Sequence, residues 1–393
     1  MSDDKSKGEA TATRPSWGWL VGTTIVLVCL VVGGILLCVY GHPVWGVILI
    51  VIGVVIAAAL IGVSCMMIKL FRSGPAAILG NVATGESYGA NVEESFKSAN
   101  SGLSDEDLAR MNANRTKQSA DTQAWFEANK DQVEDVSITA EDGCKQVGHV
   151  LLTHPESKRW FIYAHGFGGG WRNGLGYGRH FSQDRGFNLL FLDMRAQGES
   201  EGAVIGAGHL ERRDIVAWCN WLVERYGEDI SIVLFGSSMG AGAVIEASGE
   251  EDLPKQVALT VSDSGYADMW GSVVSMMGSM KIKGIKIPAR PLLDVFRFMF
   301  KHSKGGYDIA DASPVTAIAH SHVPVMIVQG ATDVVVGPEN GDQLDRAAGG
   351  AAAGDGHDLL VMPAAGHCCS AMANPELYYE RVFAFVDRWC SEA

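Results

Sequence analysis

Ser231-Ile232-Val233-Leu234-Phe235-Gly236-Ser237-Ser238-Met239-Gly240-Ala241 is the stretch on which the reading of this chain turns. Ser231–Phe235 is almost wholly apolar, as a strand buried on both faces requires. Gly236–Gly240 follows as G-x-S-x-G, a weak pattern alone. It gains meaning from its setting, because a strand ends at Phe235 and a helix former begins at Ala241. There the Ser238 hydroxyl stands on a sharp turn above the sheet, and the flanking glycines let neighbouring backbone pass without a side-chain clash. A strand–helix loop without chemistry is the plain alternative, and partner groups elsewhere in the chain discriminate between the two.

Working outward, further apolar strands are expected at Trp160–Ala164, Asn188–Asp193, Val257–Val261, Val323–Val328 and Asp358–Met362. Helices are expected at Leu210–Arg225, Ala241–Ser248, Glu339–Ala348 and Pro375–Trp389. Val136–Thr139 and Gln146–Leu152 flank an Asp142-Gly143 turn and read as a hairpin. Alternating β and α elements predict an α/β fold with a mostly parallel, doubly wound sheet.

A serine hydroxyl needs a base. His367, in Gly366-His367, follows the last strand and is the candidate. The imidazole in turn needs a carboxylate to fix its tautomer. Asp333 lies just past Val323–Val328, at the carboxyl end of a strand, where open α/β sheets build their sites. Asp263, ending the preceding strand, is the rival acid. The Gly-rich run His165–Gly170 can aim a backbone amide at a developing oxyanion, which makes the amides of Phe167 and Met239 the candidate donors. No Lys-Ser/Thr follows these glycines, so a phosphate cradle does not fit. This chemistry calls for no metal and no organic cofactor.

From about Val133 to Trp389 the chain resembles the α/β-hydrolase superfamily, and is most similar to bacterial, membrane-anchored hydrolases often labelled serine-aminopeptidase-like. The resemblance rests on His165-Gly166-Phe167, Asp193–Ser200, Gly236–Gly240, Ser262–Tyr266, Gly330–Asp333 with Pro338, and Gly366-His367. It implies an α/β-hydrolase fold with an inserted cap, the triad Ser238, Asp333 and His367, and the two amide donors. It also implies that Asp193–Ser200 is a structural turn whose Arg195 and Glu199 fix loops. One departure is Gly337 between Val336 and Pro338, where the usual pattern has Val-Pro adjacent.

The N-terminal part has a different character. From Pro15 to Ile68 there is no Asp, Glu, Lys or Arg, and Tyr40-Gly41-His42-Pro43 interrupts the run with a turn. Each half exceeds the roughly 20 residues that cross a bilayer core. A two-helix transmembrane hairpin over 17–70 is therefore expected, after a tail over 1–16. A cleaved signal peptide would be shorter and would not be followed by a second span. Lys5, Lys7 and Arg14 precede the first span, Lys69 and Arg72 follow the second, and the turn has no Lys or Arg. The positive-inside rule then places both ends, and the catalytic domain, in the cytoplasm at the cell membrane. Residues 71–103 read as a juxtamembrane linker and 104–393 as the hydrolase domain, with the cap at about 264–320.

The formal net charge of −14 is the opposite of a nucleic-acid binder's balance. Five cysteines outside the spans, two of them adjacent, do not read as a disulfide framework. In the cap, Leu292, Leu293, Phe296, Met299 and Phe300 share one helical face, expected to lie on the sheet. Arg290, Arg297, Lys301 and Lys304 are expected on the other, in solvent or against anionic headgroups. The expected partners are thus a small-molecule acyl substrate and a membrane. The expected function is cleavage of an ester, thioester or amide through an acyl-enzyme, esterase- or lipase-like first and aminopeptidase-like second. A non-catalytic binding module is the alternative of another class.

Overall fold

The computed structural model describes residues 17–73, 100, 102–279, 281–282, 285–286, 289–350 and 356–390. The expected tail over 1–16, most of the expected linker and residues 351–355 of the Gly/Ala-rich loop lie outside the described residues. Eight strands form one sheet: β1 Val133–Thr139, β2 Lys145–Leu151, β3 Arg159–Ala164, β4 Asn188–Leu192, β5 Ser231–Ser237, β6 Val257–Asp263, β7 Val325–Gly330 and β8 His357–Met362. Their order is β1-β2-β4-β3-β5-β6-β7-β8. β2 runs antiparallel to β1 and β4, and all other neighbours are parallel.

The helices are α1 Gly18–Val39, α2 Pro43–Ser73, α3 Asp105–Asn129, α4 Leu175–Arg185, α5 Glu211–Tyr226, α6 Met239–Ser248, α7 Met269–Ser279, α8 Leu292–Lys301, α9 Pro314–Ile318, α10 Glu339–Ala347, α11 Ser370–Ala373 and α12 Pro375–Trp389. Each strand's uninterrupted apolar run has a direct cause, since both sheet faces are covered. On β3, Phe161 and Tyr163 join Phe181, Phe383 and Val386 on one side. Trp160 and Ile162 join Ile215, Trp218 and Val244 on the other. α4 was not expected. Its sequence is polar, but Gly178 lets it lie on Phe191, whose ring a Cβ there would meet, and Phe181 fills the core.

α1 and α2 pack antiparallel through small residues. A Cβ on Gly34 would meet the Gly46 carbonyl and Ile50, and one on Gly46 would meet Cys38. Close glycine contacts of this kind suit association in a medium that offers no hydrophobic drive between helices. Among the described residues, all but five of the large apolar side chains left exposed lie between Trp19 and Met66. Both helices are long and apolar enough to cross a membrane.

Three details differ from expectation. α2 runs past residue 70 to Ser73, into the segment read as linker. The apolar face of α8 does not lie on the sheet. Leu293, Phe296 and Phe300 instead pack with Ile68 and Phe71 of α2, with Trp270, and with Val204 and Ala207. Arg297 is buried rather than solvated: it grips Asp308 through two hydrogen bonds of 2.6 and 2.8 Å and lies 4.1 Å from the Trp17 ring centre. A guanidinium desolvated this way needs both a carboxylate and an aromatic face, and neither is adjacent in sequence.

Candidate active site

β5 ends at Ser237 and α6 begins at Met239, so Ser238 alone makes the turn, at φ 54° and ψ −116°. This left-handed backbone is costly for a residue with a Cβ. Close packing around it imposes the conformation. A Cβ on Gly236 would run into the Gly240 carbonyl, and one on Gly240 into the Ala164 carbonyl. The Ser238 amide donates to the Asp263 carbonyl at 2.9 Å, which ties the turn to β6. β5 lies beside β3, whose neighbour on the other side is β4, so the turn stands where the strand order reverses.

His367 reaches this point from beyond β8. Its Nε2 lies 2.8 Å from Ser238 Oγ, and its Nδ1 lies 2.8 Å from Asp333 Oδ2. An ionised carboxylate only accepts, so Nδ1 carries the proton and Nε2 accepts from the serine hydroxyl. Asp333 is buried but fully partnered. Its Oδ1 accepts the Val335 and Val336 amides at 2.9 and 3.1 Å, and its Oδ2 also accepts Gln329 Nε2 at 3.0 Å. Burial pushes its pKa up, but the His367 ring and the two amides outweigh that and hold it below the ordinary value. Gly337, at φ +100°, then lets the chain turn into α10, which accounts for the extra residue before Pro338.

For His367, burial opposes the charged ring, but the Cys368 sulfur and the Asp333 carboxylate outweigh it and raise its pKa well above the ordinary value. The rival acid, Asp263, is occupied elsewhere. Its carboxylate accepts from Tyr378 at 2.8 Å, Ser264 at 3.0 Å and Tyr177 at 3.2 Å. Burial raises its pKa despite these bonds.

The loop after β3 packs against the serine, since a Cβ on Gly166 would lie 3.1 Å from Ser238 Cβ. The Gly168 amide is taken by Gln197 Oε1 at 2.6 Å and the Gly169 amide by the Gly166 carbonyl at 3.0 Å. The Phe167 amide has no acceptor among the described residues. Met239 is the first residue of α6, where helical amides have no intrahelical partner. Both amides are thus free to donate to a ligand. His165 is structural: it is buried, its Nε2 accepts the Met194 amide at 3.0 Å, and burial lowers its pKa. Arg195 binds Asp214 and Asp142, and the Glu199 amide donates to Asp193, so these residues hold the turn over 193–200.

Sequence reasoning missed two residues that brace the site, both inside the segment read as linker. Phe71, in the last turn of α2, lies edge-on to Phe167 with ring centroids 5.4 Å apart. Its carbonyl accepts the Ile205 amide at 2.6 Å. Asn100 is buried and accepts the Gly366 amide at 3.2 Å, next to His367. A residue that acts by capping one distant loop leaves no periodicity or motif to find. Gln197, whose Oε1 accepts the Gly168 amide, carries no signal in the sequence beyond its place in the turn over 193–200.

Residues 180–393, more than half of the chain, match the family model described as the prolyl oligopeptidase family. The uncharacterized protein YqkD of Bacillus subtilis is 25% identical over 241 residues, which is 61% of this chain and 74% of that protein. Among solved structures, the esterase Pf2001 of Pyrococcus furiosus matches with a TM-score of 0.51 at 22% identity, covering 65% of this chain and 92% of its own. The α/β hydrolase GrgF of a Penicillium species matches with a TM-score of 0.50 at 16% identity, covering 65% and 98%. At these identities the likeness is one of fold, and the fold is that of the α/β hydrolases. Ser238, Asp333 and His367 all fall inside the matched 180–393 segment, while Phe167 precedes it.

Proposed function

This chain belongs to the prolyl oligopeptidase family and is a serine hydrolase, and on that premise we propose that Ser238, His367 and Asp333 are its triad, that the Phe167 and Met239 amides form its oxyanion hole, and that α1 and α2 anchor it in a membrane. The observation that carries the reading is the unbroken hydrogen-bonded line from Ser238 Oγ through the His367 ring to Asp333.

His367 Nε2 takes the Ser238 proton as Oγ attacks the acyl carbon. The carbonyl oxygen, now negative, receives the two free amides, each worth about 2.7–4 kcal/mol at the transition state. Asp333 stabilises the imidazolium without taking its proton. His367 then protonates the leaving group, and the carbon–leaving-group bond breaks to give the acyl-Ser238 ester. Water attacks this ester with His367 again as base, which releases the carboxylic acid and restores the hydroxyl.

Carboxylic esters are the substrate class we favour. Peptide or aminoacyl amides are the second reading, favoured by the description of the family. A fluorophosphonate probe should label the wild-type chain and not Ser238→Ala. Folded wild-type protein that stays unlabelled would favour a binding module instead. Turnover of nitrophenyl esters against aminoacyl anilides then separates the two enzymatic readings.

A further inference from the structure

The hairpin meets the catalytic domain at the site itself. Gly53 packs against Leu30 and Val31, and Gly34 against Ile50, so the antiparallel register sets Trp17 about level with Met66. From that level α2 runs on for only roughly 8 Å, at 1.5 Å per residue, before Phe71. Phe71 meets Phe167 on one side and Phe296 and Phe300 of the cap on the other, with centroids 5.4, 5.8 and 5.1 Å apart. The oxyanion side of the Ser238 site therefore stands a turn or two of helix beyond the point where the spans end.

The surface at that level suits a leaflet. Trp17 lies at the start of the first span, where amphipathic rings favour the headgroup region, and it packs edge-on against Phe298 of the cap. Phe298 is 45% exposed. Lys69, Arg72 and Lys304 are exposed near the same end, a cationic set on a chain whose net charge is −14. Cations at this position attract anionic headgroups.

We propose that the Ser238 site opens onto the cytoplasmic leaflet and that its substrate is a long-chain acyl ester drawn from that leaflet. This rests on the serine-hydrolase and membrane-anchor readings above. An acyl chain that follows the exposed Phe298 ring toward the loop carrying Phe167 stays against apolar surface, whereas a route through water would expose every methylene. The reaction is the acyl transfer already described: the ester C–O bond breaks, the alcohol leaves with the His367 proton, and water completes release of the fatty acid.

The test uses the full chain reconstituted in vesicles of equal parts phosphatidylcholine and phosphatidylglycerol. It compares methylumbelliferyl oleate, held in the bilayer, with water-soluble methylumbelliferyl acetate. Phe298→Asp changes an exposed cap residue outside the catalytic machinery. It should slow oleate turnover by about tenfold, the scale set by taking one apolar contact from the acyl chain, and leave acetate turnover unchanged. Acetate turnover and fluorophosphonate labelling of Ser238 report the underlying chemistry separately. A labelled enzyme that hydrolyses acetate and ignores oleate, or whose oleate rate is indifferent to Phe298→Asp, overturns the leaflet proposal and leaves the hydrolase standing. Loss of labelling and of both activities in the wild type overturns both.

Discussion

Phe71 lies edge-on to Phe167, so the last turn of α2 supports the loop that packs against Ser238. Removing the Phe71 ring leaves Phe167 without that support. We predict that Phe71→Ala lowers kcat on a soluble ester by about 10- to 100-fold, the range expected from misplacing an oxyanion donor or reacting group by an ångström. Phe71→Leu, which keeps apolar bulk, should recover most of it. Steady-state kinetics with active-site titration decide this. Unchanged kcat in a folded Phe71→Ala chain would dismiss the positioning role.

Ser238 and His367 act as one unit if the line of hydrogen bonds is the catalytic machinery. Ser238→Ala and His367→Ala should each lower kcat by about a millionfold, and the double substitution should cost little more. Costs that simply multiply would show that the two act independently.

In the proposed triad, Asp333 should set both the rate and the pH profile. The His367 pKa is raised, and only the neutral ring can take the serine proton. Activity should therefore rise as pH climbs through a value above about 6.5, the ordinary histidine value. Asp333→Asn removes the carboxylate that helps raise it, so the limb should move to lower pH while kcat falls about 10 000-fold. The same raised pKa has a stability consequence. Its contribution is complete below about pH 6.5 and is lost as pH rises through the folded value. A limb that stays in place in Asp333→Asn would contradict the assignment.

Arg297 and Asp308 form a buried pair that joins the cap to Trp17. Arg297→Ala takes the two-pronged partner from Asp308, which keeps the half-exposed Lys301 ammonium at 3.2 Å, and should destabilise the protein by about 3 kcal/mol, read as a fall in Tm in detergent. Adding Asp308→Ala should restore part of the loss. If the double variant is no more stable than Arg297→Ala, the pair is not the source.

Gly240 offers a purely steric test. A methyl group there meets the Ala164 carbonyl, so Gly240→Ala must shift the Ser238 turn or β3. An overpacking cost of about 1–3 kcal/mol is expected, with probe labelling reduced in whatever protein folds. Wild-type labelling and stability would show that the turn has room to spare.

Local order was legible in the sequence wherever one short stretch carried the whole signal. The continuous apolar runs at Trp160–Ala164 and Ser231–Phe235 announce strands covered on both faces, because only such strands can dispense with polar alternation. Gly236–Gly240 announces a tight turn, because no other residue allows backbone to approach so closely. The long uncharged run from Pro15 to Ile68 announces two helices, because lipid-length apolar segments must bond their own backbone.

Tertiary structure alone decided what sits against what. Nothing near Arg297 in sequence reveals that Asp308 and Trp17 enclose it, and α8 lies on α2 rather than on the sheet because Phe71 arrives there from more than 200 residues upstream. Asp263 and Asp333 both end strands of the same sheet, and sequence order favoured the second only by analogy. The choice is physical: the tyrosines at 177 and 378 occupy Asp263, while Asp333, held by Gln329 and the Val335 and Val336 amides, turns Oδ2 toward His367. A hydrogen bond depends on positions in space to within tenths of an ångström, and chain order carries no such information.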